Sequence, residues 1–298
     1  MTSSATQHSF SMNGPGWGGV GAMGVVSGIA VAGALWKLLA IGWIAFGAMA
    51  IGAWLGGRAA PVGPEGGAEA ARRLVWGYGL SSGAMITSTA VFLIPSAIGH
   101  HAAFGGFGIA AGVLIGFALH VAQHQLAHLP LPFDRTTLEL TVHALTAGLV
   151  IGAVYATMPA LGLTLGLAIV SHKGPAGYAA ASRLRRTGRS VAGLLVPAAA
   201  VAVTAVPVGI LAVPGTAVVH ALIFGVATGV FLHVALDFLP QCEIGGELME
   251  VAGLSEVVEG EAAFDAQHHL LDRLRLHAVA STSIGGLLVF AAWWGIAG

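Results

Sequence analysis

Two histidines open the same short pattern in this chain. His143-Ala-Leu-Thr-Ala-Gly148 and His172-Lys-Gly-Pro-Ala-Gly177 both read H-x-x-x-A-G, 29 residues apart. An imidazole carried on a helix is a good ligand for a borderline metal such as Zn²⁺. Both patterns lie in apolar runs. In hydrocarbon an ionisable side chain costs about 2.5–3.5 kcal/mol at mid-helix, so each one is a functional candidate by default. The same logic selects His120, His124 and His128, spaced i, i+4 and i+8 on one helix face, and His233 with Asp237 at i, i+4. Lys173 follows His172 directly, and Pro175 follows two residues later. In a continuous helix Pro175 would remove a backbone hydrogen bond and kink the span, freeing a carbonyl to face a cavity. The chemistry these residues suggest is capture and release of a borderline divalent metal, with His143 and His172 as the leading candidate ligands. Thr146, His120, His124 or His233 are further candidate ligands. The His120 stripe forms a relay, and His233 with Asp237 an exit station. Polar groups hydrogen-bonding across helices remain the alternative for each. His100, His101, His220, His268 and His269 read as turn or structural residues.

The elements that must position these groups are membrane spans. Of 298 residues, 56% are hydrophobic and only 8% charged, against roughly 25% charged in a soluble domain. Mean hydropathy is +0.85. Forty-five glycines suit close helix packing in lipid. About 20 apolar residues cross a bilayer, and nine such runs occur: 17–35, 38–56, 74–98, 103–127, 139–158, 161–181, 190–212, 216–240 and 276–297. Residues 1–16 carry no Lys or Arg and read as a disordered tail. Residues 17–298 then form a single transmembrane domain. The 242–275 loop is acidic, and the spacing of Leu248, Val251, Leu254, Val257 and Val258 suggests an amphipathic surface helix. With nine spans, every Arg falls in or beside the even connections. The positive-inside rule makes that face cytoplasmic, with the N-terminus inside and the C-terminus outside. Consecutive spans run antiparallel, so the two H-x-x-x-A-G segments form a small inverted repeat, the usual build of a transporter binding site.

These two segments resemble the signatures of the ZIP family of divalent-metal transporters, H-N-x-P-[E/D]-G and H-[N/E]-x-P-E-G on successive spans. Ala153–Ile169 looks like the family's short turn between those spans. Gly229-Val-Phe-Leu-His-Val-Ala-Leu-Asp-Phe-Leu-Pro240 is similar to its G-x-F-x-Y-V-A-x-x-x-x-L-P span, and Phe92-Leu-Ile-Pro-Ser96 to the matching proline-ended span. The resemblance covers roughly 38–297. It implies an all-α polytopic fold: an eight-helix ZIP-like bundle with inverted repeats, plus an extra N-terminal helix. It also implies a plasma-membrane permease and a homodimer. Transferred residue by residue, His143 and Gly148 match the first signature, and His172, Pro175 and Gly177 the second. The family's carboxylates, bridging ligands of a two-metal centre, are replaced by Ala147 and Ala176, and Lys173 stands where the second signature is polar. Two dications without a bridging carboxylate lack neutralising charge, so the expectation is one metal at most, with Lys173 as a fixed charge in place of the other.

The expected function is a permease moving Zn, Fe or Mn into the cytoplasm. The alternative is the same scaffold carrying an anion or a metal complex. An intramembrane enzyme is disfavoured: the chain has no H-E-x-x-H, and Ser81, Ser82, Ser88 and Ser96 have no evident base. Its one cysteine, Cys242, excludes an internal disulfide and Cys-based zinc motifs. No basic run suits nucleic acid. No cofactor is expected; the partners are the bilayer and the transported metal.

Overall fold

The computed structural model describes residues 14–58, 64–126, 134–158, 163–211, 215–237, 239–240 and 261–297. All regular elements among them are helical. This is what hydrocarbon demands of a spanning chain, because a helix satisfies its backbone N–H and C=O groups within itself. The helices are α1 (Gly14–Ala32), α2 (Trp36–Arg58), α3 (Pro64–Ser88), a π-helical turn (Thr89–Leu93), α4 (Ile94–His100), α5 (Ala102–Leu126), α6 (Arg135–Thr157), α7 (Leu163–Val170), α8 (Lys173–Arg186), a 3₁₀ turn (Val191–Leu194), α9 (Leu195–Gly209), α10 (Ala217–Asp237) and α11 (Glu261–Ala297). Eight are long and apolar enough to cross a membrane, counting α3–π–α4 as one and the 3₁₀ turn with α9 as one. Large apolar side chains point outward, as at Leu276 (73% exposed), Phe107 (67%) and Leu114 (68%). Such a surface suits lipid and not water. The chain is a multi-pass membrane protein.

The sixth expected span, 161–181, departs from a continuous helix. It is split into α7 and α8 by a turn at Ser171 and His172. The reason is local. In an unbroken helix the ring of Pro175 would clash with the carbonyl four residues back, at Ser171. The chain stops at Val170, turns, and restarts at Lys173. Pro175 then sits in the first turn of α8, where its missing N–H is one of the orphans anyway. The expected mid-helix kink at Pro175 is therefore replaced by a break at Ser171 and His172, immediately before α8. The first apolar run forms a full helix, α1. The last helix begins at Glu261, so 261–275 extends the final span. The tail before Gly14 and the amphipathic stretch around Leu248–Val258 lie outside the described residues.

The helices sort into two compact units. In the first, α1, α2 and α6 all pack on α9. α9 is buried along its alanines, from Ala198 to Ala202 and at Ala205. Glycines let the neighbours approach. A methyl on Gly19 would strike the Leu195 carbonyl, one on Gly42 would stand 2.9 Å from Ala202 Cβ, and one on Gly152 would stand 2.6 Å from the Ala205 carbonyl oxygen. Thr204 Oγ1 donates to Leu145 O across α9 and α6 at 2.7 Å. In the second unit α3 is the common neighbour, touching α7, α10 and above all α11. Its Gly79 and Gly83, a G-x-x-x-G pair, meet Ser281 and Thr282 of α11. Backbone proximity of this kind is how helices associate when lipid removes the hydrophobic drive.

Two helix ends use a left-handed residue. α8 ends with Gly188 at φ 69°, and Arg189 N–H donates to Leu184 O at 2.8 Å. α1 ends with the same bond pattern, Leu35 N–H to Ala30 O at 2.8 Å, but the left-handed residue is Ala34 at φ 53°. A Cβ is disfavoured there. Ala34→Gly is therefore expected to raise stability by about 0.5–1 kcal/mol and Gly188→Ala to lower it by a similar amount. Thermal unfolding of the detergent-solubilised chain checks both signs.

Candidate substrate site at the helix break

The break between α7 and α8 places two polar side chains deep in the protein. His172 and Lys173 are each 1% exposed, and Lys173 is the largest fully buried side chain among the described residues. Lys173 is the first residue of α8, at the end of the helix that carries partial positive charge. Among the described residues no carboxylate forms an ion pair with its ammonium. Asp237 ends α10 on an exposed position.

In the second unit α3 faces this break. A methyl built on Gly77 would lie 2.8 Å from Cγ of Pro175, so the missing Cβ at Gly77 is what admits the proline. Ser81 and Ser88 follow on the same face of α3, one turn and three turns on. Ser81, Ser82 and Ser88 are buried. The hydroxyls of Ser82 and Ser88 have no hydrogen-bond partner among the described residues. Buried hydroxyls without partners are rare and mark places where water, an ion or a ligand completes the set. The π-helical turn follows at once. Pro95 has no N–H for the Val91 carbonyl, the ladder slips, and Ile94 N–H bonds Thr89 O. The hydroxyls of Thr89 and Ser96 take the carbonyls of Met85 and Phe92, both at 2.7 Å.

α10 brings His233 into the same unit. A glycine ladder seats it: Gly108 lies against Gly225, Gly112 against Gly229, and Gly116 against the His233 ring, whose Cδ2 is 2.8 Å from where a Cβ on Gly116 would be. The repeat G-x-x-x-G-x-x-x-G of α5 thus meets G-x-x-x-G-x-x-x-H of α10, and the histidine takes the third rung.

The remaining candidates belong to the first unit. His143 is half-buried on α6, and Thr146 Oγ1 is turned back onto the Val142 carbonyl at 3.0 Å. His120 is exposed on α5 beside Phe117 and Val121. The side chain of His124 and all of His128 lie outside the described residues. Gly148 packs on Val201 and Thr204 of α9, and Gly177 on Met49 of α2. The two glycines of the H-x-x-x-A-G repeat therefore act as helix-contact points. Ala147 and Ala176 are both buried. Among the described residues no three His, Cys, Asp or Glu side chains converge on one point.

Ser82, Ser88 and Gly116 were invisible in the sequence as site residues. A single serine or glycine in an apolar run carries no signal until its neighbours are known. The spacing of Gly108, Gly112 and Gly116 is the one pattern that could have shown the seat of His233. A scan against models of protein families finds no match for this chain, and a search among curated proteins finds none either.

Proposed function

We propose that this protein is a permease of ZIP-like design that moves a divalent transition metal (Zn, Fe or Mn) into the cytoplasm through a site of altered, mononuclear composition. The observation that carries the reading is the broken helix between Val170 and Lys173, which holds His172 and Lys173 at 1% exposure in a chain of apolar spans. Discontinuous helices at buried depth are the usual seat of transporter binding sites, because the break supplies unpaired backbone groups in a place shielded from lipid. A soluble role gives no reason to bury an ammonium, and a purely structural membrane helix would fill the position with Leu. His172 is an imidazole ligand in this reading, and the fixed charge of Lys173 limits the site to one dication.

A second reading rests on Lys173 itself. A buried ammonium at a helix N-terminus without a carboxylate partner among the described residues attracts an anion more readily than a dication. On this reading the same break carries an anion or an anionic metal complex.

Uptake into proteoliposomes separates the two. Native protein is expected to accumulate Zn²⁺ or Mn²⁺, and His172→Ala to abolish that uptake. Entry of neither dication, with uptake of phosphate or a metal–carboxylate complex that needs Lys173, replaces the first reading with the second. Entry of no solute at all removes both.

A further inference from the structure

α4 ends at His100 and α10 carries His220 three residues after its start. These residues are 120 positions apart, yet their ring centres stand 5.3 Å apart with the planes at 80°. His100 Nδ1 lies 2.6 Å from the Ser96 carbonyl oxygen. A carbonyl can only accept, so Nδ1 carries the proton and Nε2 keeps its lone pair. The ring is also fixed by stacking on Phe224, with centroids 5.7 Å apart and planes 10° apart. No hydrogen bond holds the His220 ring among the described residues; the nearby Thr216 hydroxyl is used by the Val219 N–H.

We propose that His100 and His220 form a two-imidazole site for a borderline transition metal such as Ni²⁺, Cu²⁺ or Zn²⁺. Three features support it. A metal bound by two imidazoles at about 2.0–2.1 Å and near the tetrahedral angle holds the ring centres roughly 5 Å apart, which matches the separation here. A ligating histidine almost always donates its other N–H to a carbonyl or carboxylate, and Ser96 O is that acceptor for His100. Both rings are half-buried, so they are partly ordered yet reachable. Water completes the coordination. The ligand set is neutral and nitrogenous, so it selects these metals over Mg²⁺ and Ca²⁺, which require oxygen ligands. The site lies wholly in the second unit and shares no residue with the helix break, so it does not depend on the transport reading.

The alternative is an aromatic cluster of His100, His220 and Phe224 without affinity for metal. Calorimetric titration of the detergent-solubilised full chain with Ni²⁺ decides between them. The expected result is a binding phase that weakens roughly tenfold or more in His100→Ala and in His220→Phe, as loss of a ligand demands, and that survives His172→Ala. His220→Phe keeps an aromatic ring against His100, so a loss there is a loss of the ligand and not of packing. Absence of Ni²⁺ binding in the native chain overturns the proposal. So does binding that is equal in the native, His100→Ala and His220→Phe proteins. Because the readout is binding, failure of the uptake assay leaves this result standing, and the reverse holds as well.

Discussion

Lys173→Met is expected to melt at a higher temperature than the native protein and, on the transport reading, to lose normal transport. Lys173 is 1% exposed, and no carboxylate pairs with it among the described residues. A buried charge of this kind is held against its desolvation cost. Met has nearly the same length and no charge, so it refills the space without a cavity. Replacing buried charge by a well-packed apolar side chain gains about 1–4 kcal/mol in cases where the pair was poorly compensated. The expected gain in this protein is of that order, read as a rise in the thermal midpoint in detergent. Transport moves the other way, because stability and activity trade off where a site is built from strained or unpaired groups. If the site holds one dication, removal of the ammonium also removes like-charge repulsion, and Zn²⁺ then binds more tightly while its release slows. A lower melting temperature for Lys173→Met would mean that the ammonium is a structural anchor, and the site reading of Lys173 would fall.

A second large effect is expected at Gly112. A Cβ there would stand 2.9 Å from Cα of Gly229 and strike the Val226 carbonyl. The clash is with backbone, so no side-chain rotation relieves it. Gly112→Leu forces α5 and α10 apart, and the third rung of the ladder, Gly116 against His233, separates with them. Overpacking of a closely packed site costs about 1–3 kcal/mol, and more where the backbone must shift; about 3 kcal/mol or more is expected here. Gly106→Leu is the control. It lies on the same helix and has nothing within 4 Å of its Cβ position, so its folding is expected to match the native chain. Size-exclusion profiles and thermal unfolding of the two variants test this directly. Equal behaviour of Gly112→Leu and Gly106→Leu would show that α5 does not pack on α10 through this ladder.

Composition and run length were enough to read the class of this protein. Among the described residues eight helices of membrane-spanning length appear where long apolar runs were found, because desolvating the backbone in lipid leaves the helix as the way to pair its N–H and C=O groups. Asp134 caps α6 through the Thr136 N–H at 2.9 Å, and Gly188 ends α8 in the left-handed region, since caps and turns depend on a few neighbours in the chain. Other features were beyond it. The 161–181 run has the composition of one span, and the break at Ser171 depends on the Pro175 ring against a carbonyl one turn back. Likewise the sequence offers His100 and His220 as two unrelated residues, and Gly116 as one small residue among many. Their meaning arises from which helix faces are brought together across more than a hundred residues. Hydropathy is a sum over neighbours in sequence and fixes which segments enter the bilayer. Helix pairing within it is set by the fit of side chains and missing side chains at specific contacts, and that fit exists only once the helices are packed.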